Sequence, residues 1–331
     1  MRGSPGPATA RPWLIMLMPY FGTWPPWINF FMESCRRNPD VVWRFHTDCG
    51  RPENLPDNVE IVETTFGNYT ALVSARLKLS FAPADPYKLC DLRPALGYIH
   101  AAETAGYAFY GFGDIDVIYG QISSFYPEHL RRRYTVISTH GNDASGHFCL
   151  FRNNAANRSM FRFIRDFGRD LADPRNHAID ERGLTRTIRR SRRWRTALDP
   201  RRWLSGGVWP RPFYREEYST VLSPRGWIDG STNYPRVWRW RDGALTADGT
   251  DRRTFLYLHF MRWKSHCGGT QPDEGAWRQL DRLVNTDWRR AIADGFSISP
   301  AGFQPFDFVY TQGPAGAPAG DASATPGGAD R

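Results

Sequence analysis

The chain has 331 residues, of which 41% are hydrophobic and 15% aromatic, and its formal net charge at neutral pH is +9. This composition excludes an intrinsically disordered protein, and the scattered cysteines, which form no C-x-x-C pair, predict neither a zinc site nor a disulfide framework. The positive charge favours anionic partners, namely nucleic acid, an anionic membrane surface or phosphate-bearing small molecules.

The two ends of the chain are predicted to be disordered. Residues 1–11 and the tail 313–331 are rich in Gly, Pro and Ala and lack core residues. Residues 12–312 between them are predicted to form a single domain, and no internal repeat is present.

No apolar run reaches the roughly 20 residues of a membrane-spanning helix. The first apolar segment is too short for a signal sequence, so the chain is expected in the cytoplasm.

The first half of the domain alternates strand-like and helix-like patterns. In chain order these are the strand "WLIMLMPYF", the helix "PPWINFFMESCRRN", the strands "DVVWRFHTD" and "VEIVETT", the helix "PYKLCDLRPALGYIHAAETAG" and the strand "YAFYGFGDIDVIYG". This order predicts an α/β fold with a mixed, mainly parallel sheet flanked by helices.

Two carboxylates, Asp114 and Asp116, end the last of these strands. Alternate residues of a strand point to the same face, so both side chains are expected on one side. Ligands of such sheets bind at the carboxyl ends of the strands, where Asp48 is also expected. Two carboxylates suit Mg²⁺ or Mn²⁺, whose shell is completed by substrate phosphates. The alternative is a pair of acids bridged to one of the many arginines.

The second half has weaker patterns. It contains a loop "STHGNDASG", a strand "HFCLFRN", an amphipathic helix "SMFRFIRDFGRDLAD", an arginine-rich stretch from Arg186 to Arg202, and short aromatic strands ending in "TFLYLHFMRWK". The arginine-rich stretch is interpreted either as a solvated face or as a site for a phosphate-bearing lipid acceptor or an anionic membrane surface.

Three blocks, "PYKLCDLRPALG", "GDIDVIYG" and "GHFCLFRN", carry a resemblance to known enzymes. The chain resembles glycosyltransferases of GT-A type, and in particular a bacterial group of uncharacterised and capsule-associated members with a D-x-D motif. The resemblance covers about residues 13 to 265. It implies a GT-A-like (Rossmann-like) domain with a nucleotide-binding half (about 12–125) and an acceptor half (about 126–312). It also implies metal-dependent transfer of a sugar from a nucleoside-diphosphate donor to a glycan or lipid-linked acceptor, in cell-surface polysaccharide synthesis.

The resemblance also implies roles for individual residues. Asp116 would bind Mn²⁺ or Mg²⁺ directly, Asp114 would bind the ion through water or bind the ribose, and His259 would complete the coordination. The expected donor-binding residues are Pro19, Tyr20, Asp48, Lys88, Asp91, Arg93, Asp114 and Lys264. The residues themselves suggest the catalytic candidates: His147 lies in a loop typical of an acceptor side, and either Asp180 or Glu181 would lie near the acceptor hydroxyl, where an inverting transfer would use it as general base.

Each role has a structural alternative. His259 and Tyr20 would then be core residues, Lys88 a solvated residue at a helix start, and Asp91 with Arg93 an ion pair on a helix surface. His147 would cap a strand, and Asp180 with Glu181 would begin a helix.

Three other functions compete with the transferase. A nucleotidyltransferase needs a glycine-rich basic loop after the first strand. This chain has "PYFGTWPPW" there, with bulky tryptophans and prolines, which argues against this function. A basic nucleic-acid-binding protein needs a recognition motif, and none is present, so no nucleic-acid partner is expected. An inactive scaffold with the same fold is the remaining alternative.

Overall fold

The computed structural model describes residues 11–193, 211–251, 253–264, 277 and 279–311. Residues 1–10 and 313–331, which were predicted to be disordered, lie outside this part of the chain, as do residues 194–202 of the arginine-rich stretch.

The described strands are short and spread along the whole chain. They are β1 (Leu14–Pro19), β2 (Val41–Thr47), β3 (Val59–Glu63), β4 (Phe109–Gly113), β5 (Val117–Tyr119), β6 (Val136–Ser138), β7 (Phe148–Arg152), β8 (Pro212–Tyr214), β9 (Trp238–Arg241), β10 (Ala244–Ala247), β11 (Tyr257–His259), β12 (Phe296–Ser299) and β13 (Gly302–Pro305).

The described helices range from single turns to a helix of 12 residues. They are α1 (Ile28–Arg36), α2 (Phe66–Leu77), α3 (Leu89–Leu92), α4 (Leu96–Ile99), α5 (Ile122–Phe125), α6 (Glu128–Arg133), α7 (Ala155–Arg158), α8 (Phe167–Ala172), α9 (Leu184–Arg193), α10 (Met261–Lys264) and α11 (Trp288–Asp294).

A seven-stranded sheet in the order β3-β2-β1-β4-β7-β6-β8 forms the centre of the fold. The pairs β3–β2, β2–β1, β1–β4 and β6–β8 are parallel, while β7 is antiparallel to both of its neighbours. Leu14 and Met16 of β1 belong to one core cluster, and Ile15 and Leu17 belong to the other. Because successive side chains of a strand point to opposite faces, both faces of the sheet are covered. The predicted α/β fold with a mainly parallel sheet flanked by helices is confirmed.

The region between β3 and β4 differs from the prediction. Helix α2 was not predicted, although Thr65 accepts a hydrogen bond from the backbone N–H of Asn68 and so caps its first turn. The helix predicted over "PYKLCDLRPALGYIHAAETAG" consists of short pieces, α3 and α4 with 3₁₀ turns before each of them. Pro94 interrupts the segment because it has no N–H to donate.

The predicted strand over "YAFYGFGDIDVIYG" is in fact two strands, and residues 114–116 form a bend between them. The expectation that Asp114 and Asp116 share one face of a strand is therefore wrong. Strand β5 leaves the central sheet and pairs antiparallel with β11, which places His259 opposite Val117. This long-range pairing brings the end of β11 to the carboxyl end of β4.

A second, four-stranded sheet in the order β10-β9-β12-β13 contributes to the same core as one face of the central sheet. The Trp240 indole N–H donates to the backbone oxygen of Tyr119 at 2.9 Å, and Phe30 of α1 packs against Phe296 and Phe303. These contacts fix the β5–β11 ladder between the two sheets. Within the described residues, no helix combines the length and apolarity that crossing a membrane requires.

Candidate metal centre

The bend at residues 114–116 is held by hydrogen bonds from three separate parts of the chain. The Asp114 N–H donates to the backbone oxygen of His147 at 3.2 Å, and the Phe260 N–H donates to that of Asp116 at 3.1 Å. The Trp27 indole N–H donates to the oxygen of Ile115 at 2.8 Å. The two carboxylates are thus carried by a constrained backbone at the carboxyl end of β4.

The bend and β11 bring together the three residues predicted to bind metal. One ligand atom from each of Asp114, Asp116 and His259 lies within 4.8 Å of the other two. His259 Nε2 is 3.7 Å from Asp116 Oδ1 and 3.9 Å from Asp114 Oδ2. Asp116 and His259 are buried, whereas 26% of the Asp114 side chain is exposed. Two carboxylates and one imidazole fit Mn²⁺ or Mg²⁺, and the exposed side leaves room for oxygen ligands from a substrate.

His147 lies behind His259 as a buried partner. The two imidazole rings stack with their centroids 4.1 Å apart, and His147 Nε2 is 2.6 Å from the Tyr257 hydroxyl. Burial, together with the neighbouring His259, holds the pKa of His147 well below its usual value. Thr220 Oγ1 lies 3.4 Å from His259 Nδ1. His147 was predicted in an acceptor-side loop; the structure places it in the packing around His259.

Arg93 links the bend to a second pair of acids. Its guanidinium is in ionic contact with Asp114 and donates to Asp180 Oδ2 at 2.9 Å and to the backbone oxygen of Gly146 at 3.0 Å. Although burial opposes its charge, Asp114 and Asp180 hold the pKa of Arg93 above its usual value. The alternative of an arginine bridge is thus realised at Asp114, within the same cluster as the candidate metal ligands.

Asp180 and Glu181 lie in a π-helical turn (Ile179–Gly183) that precedes α9. Asp180 is buried, and burial raises its pKa to about 7 against the opposing effect of Arg93. Glu181 is exposed. A Cβ atom at position 146 would lie 3.0 Å from both Asp180 Oδ2 and Glu181 Oε1. Gly146 therefore permits both carboxylates to approach the loop before β7 closely.

Lys88 and Asp91, predicted to contact the donor, are instead engaged within the protein. Asp91 is fully buried and accepts hydrogen bonds at 2.8 Å from Lys88 Nζ and from the backbone N–H groups of His177 and Ile179. Lys88 Nζ also donates to the backbone oxygens of Asp170 and Arg175. Neither the solvated lysine nor the ion pair on a helix surface is found. The two side chains anchor the segment that leads to Asp180.

The remaining predicted donor residues lie at the carboxyl ends of β1 and β2. Pro19 ends β1, and the half-buried Tyr20 stacks on Trp24 with ring centroids 5.2 Å apart. Burial raises the pKa of Tyr20 to about 12, with smaller contributions from Cys49 and Asp116. Asp48 Oδ1 accepts the Gly22 N–H at 2.8 Å. Tyr20 is thus close enough to Asp116 of the bend for the two groups to interact electrostatically. The side chain of Lys264, at the end of α10, lies outside the described part of the chain.

Several residues of the site were not singled out from the sequence, namely Trp27, Gly146, Thr220 and Tyr257. Tyr257 stands two residues before His259, so their strand spacing was a usable signal for a shared face. Trp27 and Thr220 are distant in sequence from both acids, and their part in the site depends on tertiary packing.

The chain is similar to two solved structures of LgtC. One is an active-site mutant, with a TM-score of 0.37 and 10% sequence identity over 83% of this chain and 99% of the LgtC chain. The other is the galactosyltransferase LgtC in complex with donor and acceptor sugar analogs, with a TM-score of 0.36 and 9% identity over the same shares. No curated protein sequence matches the chain. The sequence profile of DUF6625, a family of unknown function, matches residues 16–305, and the chain belongs to this family.

Proposed function

We propose that the chain is a metal-dependent glycosyltransferase that moves a sugar from a nucleoside-diphosphate donor to a glycan or lipid-linked acceptor. The observation that carries the proposal is the convergence of Asp114, Asp116 and His259 within 4.8 Å at the carboxyl end of β4. Parallel sheets bind nucleotides at this end, and a metal held by few protein ligands can accept diphosphate oxygens.

The donor would lie between the bend and the ends of β1 and β2. Asp116 and His259 would hold Mn²⁺ or Mg²⁺, and Asp114 would bind the ion through water or bind the ribose. The bound ion would neutralise the charge that develops on the departing diphosphate. The stacked rings of Tyr20 and Trp24 offer a flat surface for the nucleobase, with Pro19 and Asp48 at its border.

Arg93 would keep the acids of the site in place and present a permanent positive charge towards the diphosphate. Its guanidinium contacts Asp114 on one side and Asp180 on the other, so it joins the donor side to the acceptor side. Asp180 has a pKa near neutrality, the range in which a carboxylate works best as general base towards an acceptor hydroxyl. Glu181 is the more exposed alternative for the same role.

Three predicted site residues would then act by positioning. Lys88 and Asp91 hold the segment before Asp180, and His147 supports the ring of His259.

The net positive charge of the chain fits an acidic or phosphate-bearing acceptor. Peripheral contact with an anionic membrane and a place in cell-surface polysaccharide synthesis belong to the same proposal.

Nucleotide titration of the intact chain tests this function. Nucleoside diphosphates are titrated by calorimetry with and without Mn²⁺, using wild type, Asp116→Asn and the exposed control Asp57→Asn. We expect Mn²⁺-dependent binding by wild type and the control, and binding at least about tenfold weaker by Asp116→Asn. Metal-independent binding, or equal binding by all three proteins, would refute the metal site. Nucleoside triphosphates and nucleotide sugars are titrated in the same way, and stronger binding of the triphosphates would favour a nucleotidyltransferase.

A further inference from the structure

A cavity of about 310 Å³ lies next to Glu181, which lines it. Its walls are the loop 140–144, the turn that carries Glu181, the first turns of α9, and Arg225. The volume is at the lower end of the range of small-molecule sites, which is about 300–1,000 Å³. The cavity can therefore hold a small ligand next to the acids of the proposed acceptor side.

Arginine side chains dominate the lining. Arg182, Arg186 and Arg189 follow each other at spacings of four and three residues, which places them on one face of the turn and of α9. With Arg225, four arginines and two carboxylates, those of Asp143 and Glu181, line the cavity, leaving an excess of two positive charges.

The arginines differ in how their charges are compensated. Asp143 pairs with Arg189 at 2.8 Å and with Arg225 at 2.9 Å. Arg182 and Arg186 are exposed, and neither forms an ion pair with any residue that the structure describes. Two guanidinium groups therefore remain available at the cavity, each with donors arranged to bind a planar or tetrahedral oxyanion through two hydrogen bonds.

The cavity adjoins the candidate catalytic acids directly. Glu181 lines it, and the Oε1 atom of Glu181 lies beside Gly146 together with Asp180 Oδ2. Asp180 in turn accepts a hydrogen bond from Arg93, which contacts Asp114 of the bend. A ligand anchored at the arginines would thus lie next to Glu181, one contact away from Asp180.

We propose that this cavity binds a carboxylate or phosphate group carried by the acceptor sugar. Arg182 and Arg186 bind the oxyanion, and the acceptor hydroxyl lies at the Glu181 end of the cavity. A neutral sugar would form no charge-assisted hydrogen bond with these two guanidinium groups, so the acceptor class is an acidic sugar, either a uronic acid or a sugar phosphate. This inference rests on the proposed transferase function.

The test compares matched sugars on the full chain by calorimetry. The probes are glucose 6-phosphate, glucuronate, glucose and inorganic phosphate. The proteins are wild type, the double variant Arg182→Gln/Arg186→Gln, and the control Arg190→Gln, which removes an exposed arginine of α9 that does not line the cavity. We expect at least one acidic sugar to bind wild type ten times more tightly than glucose does. The double variant should lose this preference, and the control should keep it.

The two acidic probes identify the source of the charge. Tighter binding of glucose 6-phosphate indicates a phosphate-bearing acceptor, and tighter binding of glucuronate indicates a uronic acid. Equal affinity for glucose and both acidic sugars would overturn the inference, as would unchanged binding by the double variant. Inorganic phosphate that binds as tightly as glucose 6-phosphate would also overturn it, because the cavity would then not recognise the sugar.

Nucleotide binding, measured on the same proteins, separates this inference from the proposed function. The double variant should retain Mn²⁺-dependent binding of nucleoside diphosphates, which also shows that it is folded. If wild type binds nucleotides but no acidic sugar, the inference fails and the transferase proposal stands. If wild type binds acidic sugars but no nucleotide, the transferase proposal fails, and the acceptor role of the cavity fails with it.

Discussion

The imidazole of His147 stacks on that of His259 at an interplanar angle of 26°, with the ring centroids 4.1 Å apart. His147 is itself held from behind, since its Nε2 is 2.6 Å from the Tyr257 hydroxyl and its Nδ1 is 3.1 Å from Ser145 Oγ. The orientation of the candidate metal ligand is therefore set by a second ring that does not face the substrate side. Residues that orient metal ligands in this way commonly contribute to metal affinity.

We expect His147→Ala to weaken Mn²⁺ binding about 10- to 100-fold, because His259 loses the ring on which it rests. The same change should lower the free energy of unfolding by about 2–4 kcal/mol through the cavity that it leaves. His147→Phe restores the stacked ring, so it should recover most of the metal affinity. Calorimetric Mn²⁺ titration measures the metal affinity, and urea denaturation followed by circular dichroism measures the free energy of unfolding. If the Phe variant binds Mn²⁺ as weakly as the Ala variant, the hydrogen bonds of His147 matter rather than the stack.

Arg93 couples Asp114 to Asp180, and this coupling is measurable. In metal-free protein at slightly alkaline pH, Asp180→Asn should cost about 1–2 kcal/mol more in the Asp114→Asn background than in wild type. The reason is that the double variant leaves a buried guanidinium without a carboxylate partner. Urea denaturation of wild type, the two single variants and the double variant gives the coupling free energy between Asp114 and Asp180. Asp57→Asn, an exposed change, should show the same cost in both backgrounds, and equal costs for Asp180→Asn would contradict the bridge.

The sequence predicts strands β1 to β4 and β7 of the central sheet, because the information for them is local, whereas β6 was not predicted. The apolar runs at β1 and β2 and the acids after β4 define strands and a ligand-binding edge without reference to distant residues. The same local pattern suggested one strand through both acids. The break between β4 and β5 arises because β5 pairs with β11, more than a hundred residues later.

Local sequence information also predicted part of the candidate site. The motif and the resemblance named Asp114, Asp116 and His259, which the structure brings together. The partner of Arg93 was not predictable from spacing, because Asp180 lies 87 residues further along the chain. The contact between them forms next to Gly146, in the loop before β7. The buried position of Lys88 likewise depends on three acceptors, and two of them are distant in sequence, namely the backbone oxygens of Asp170 in α8 and of Arg175 just after it.

The raised pKa of Asp180 predicts how its replacement changes stability with pH. Burial raises this pKa from 3.8 to about 7, so the folded protein keeps a proton that the unfolded chain releases. The unfolded state then binds fewer protons, and the contribution of Asp180 to stability falls as the pH rises between about 4 and 7. Asp180→Asn cannot titrate. Its free energy of unfolding relative to wild type should therefore increase over this interval.

Urea denaturation across this pH range, with Asp57→Asn as the exposed control, measures the effect. The stability difference between wild type and the control should change little with pH. If the free energy of unfolding of Asp180→Asn minus that of wild type stays constant or falls as the pH rises, the burial of an easily protonated Asp180 is contradicted.

Gly146 provides a test of how closely the acids of the turn approach the loop before β7. A Cβ at this position would lie 3.0 Å from oxygens of Asp180 and Glu181 and 3.3 Å from Arg93 Nη1, which is closer than an ordinary van der Waals contact. Because Arg93 and burial hold Asp180 in place, Gly146→Ala should lower the free energy of unfolding by about 1–2 kcal/mol. Gly168→Ala, in helix α8 with no atom within 4 Å of the new Cβ, should instead raise it by about 0.5–1 kcal/mol. Thermal and urea unfolding of both variants compare the two sites. A Gly146→Ala protein as stable as wild type would show that the two carboxylates can move apart at no cost, which would contradict the tight contact between this turn and the loop.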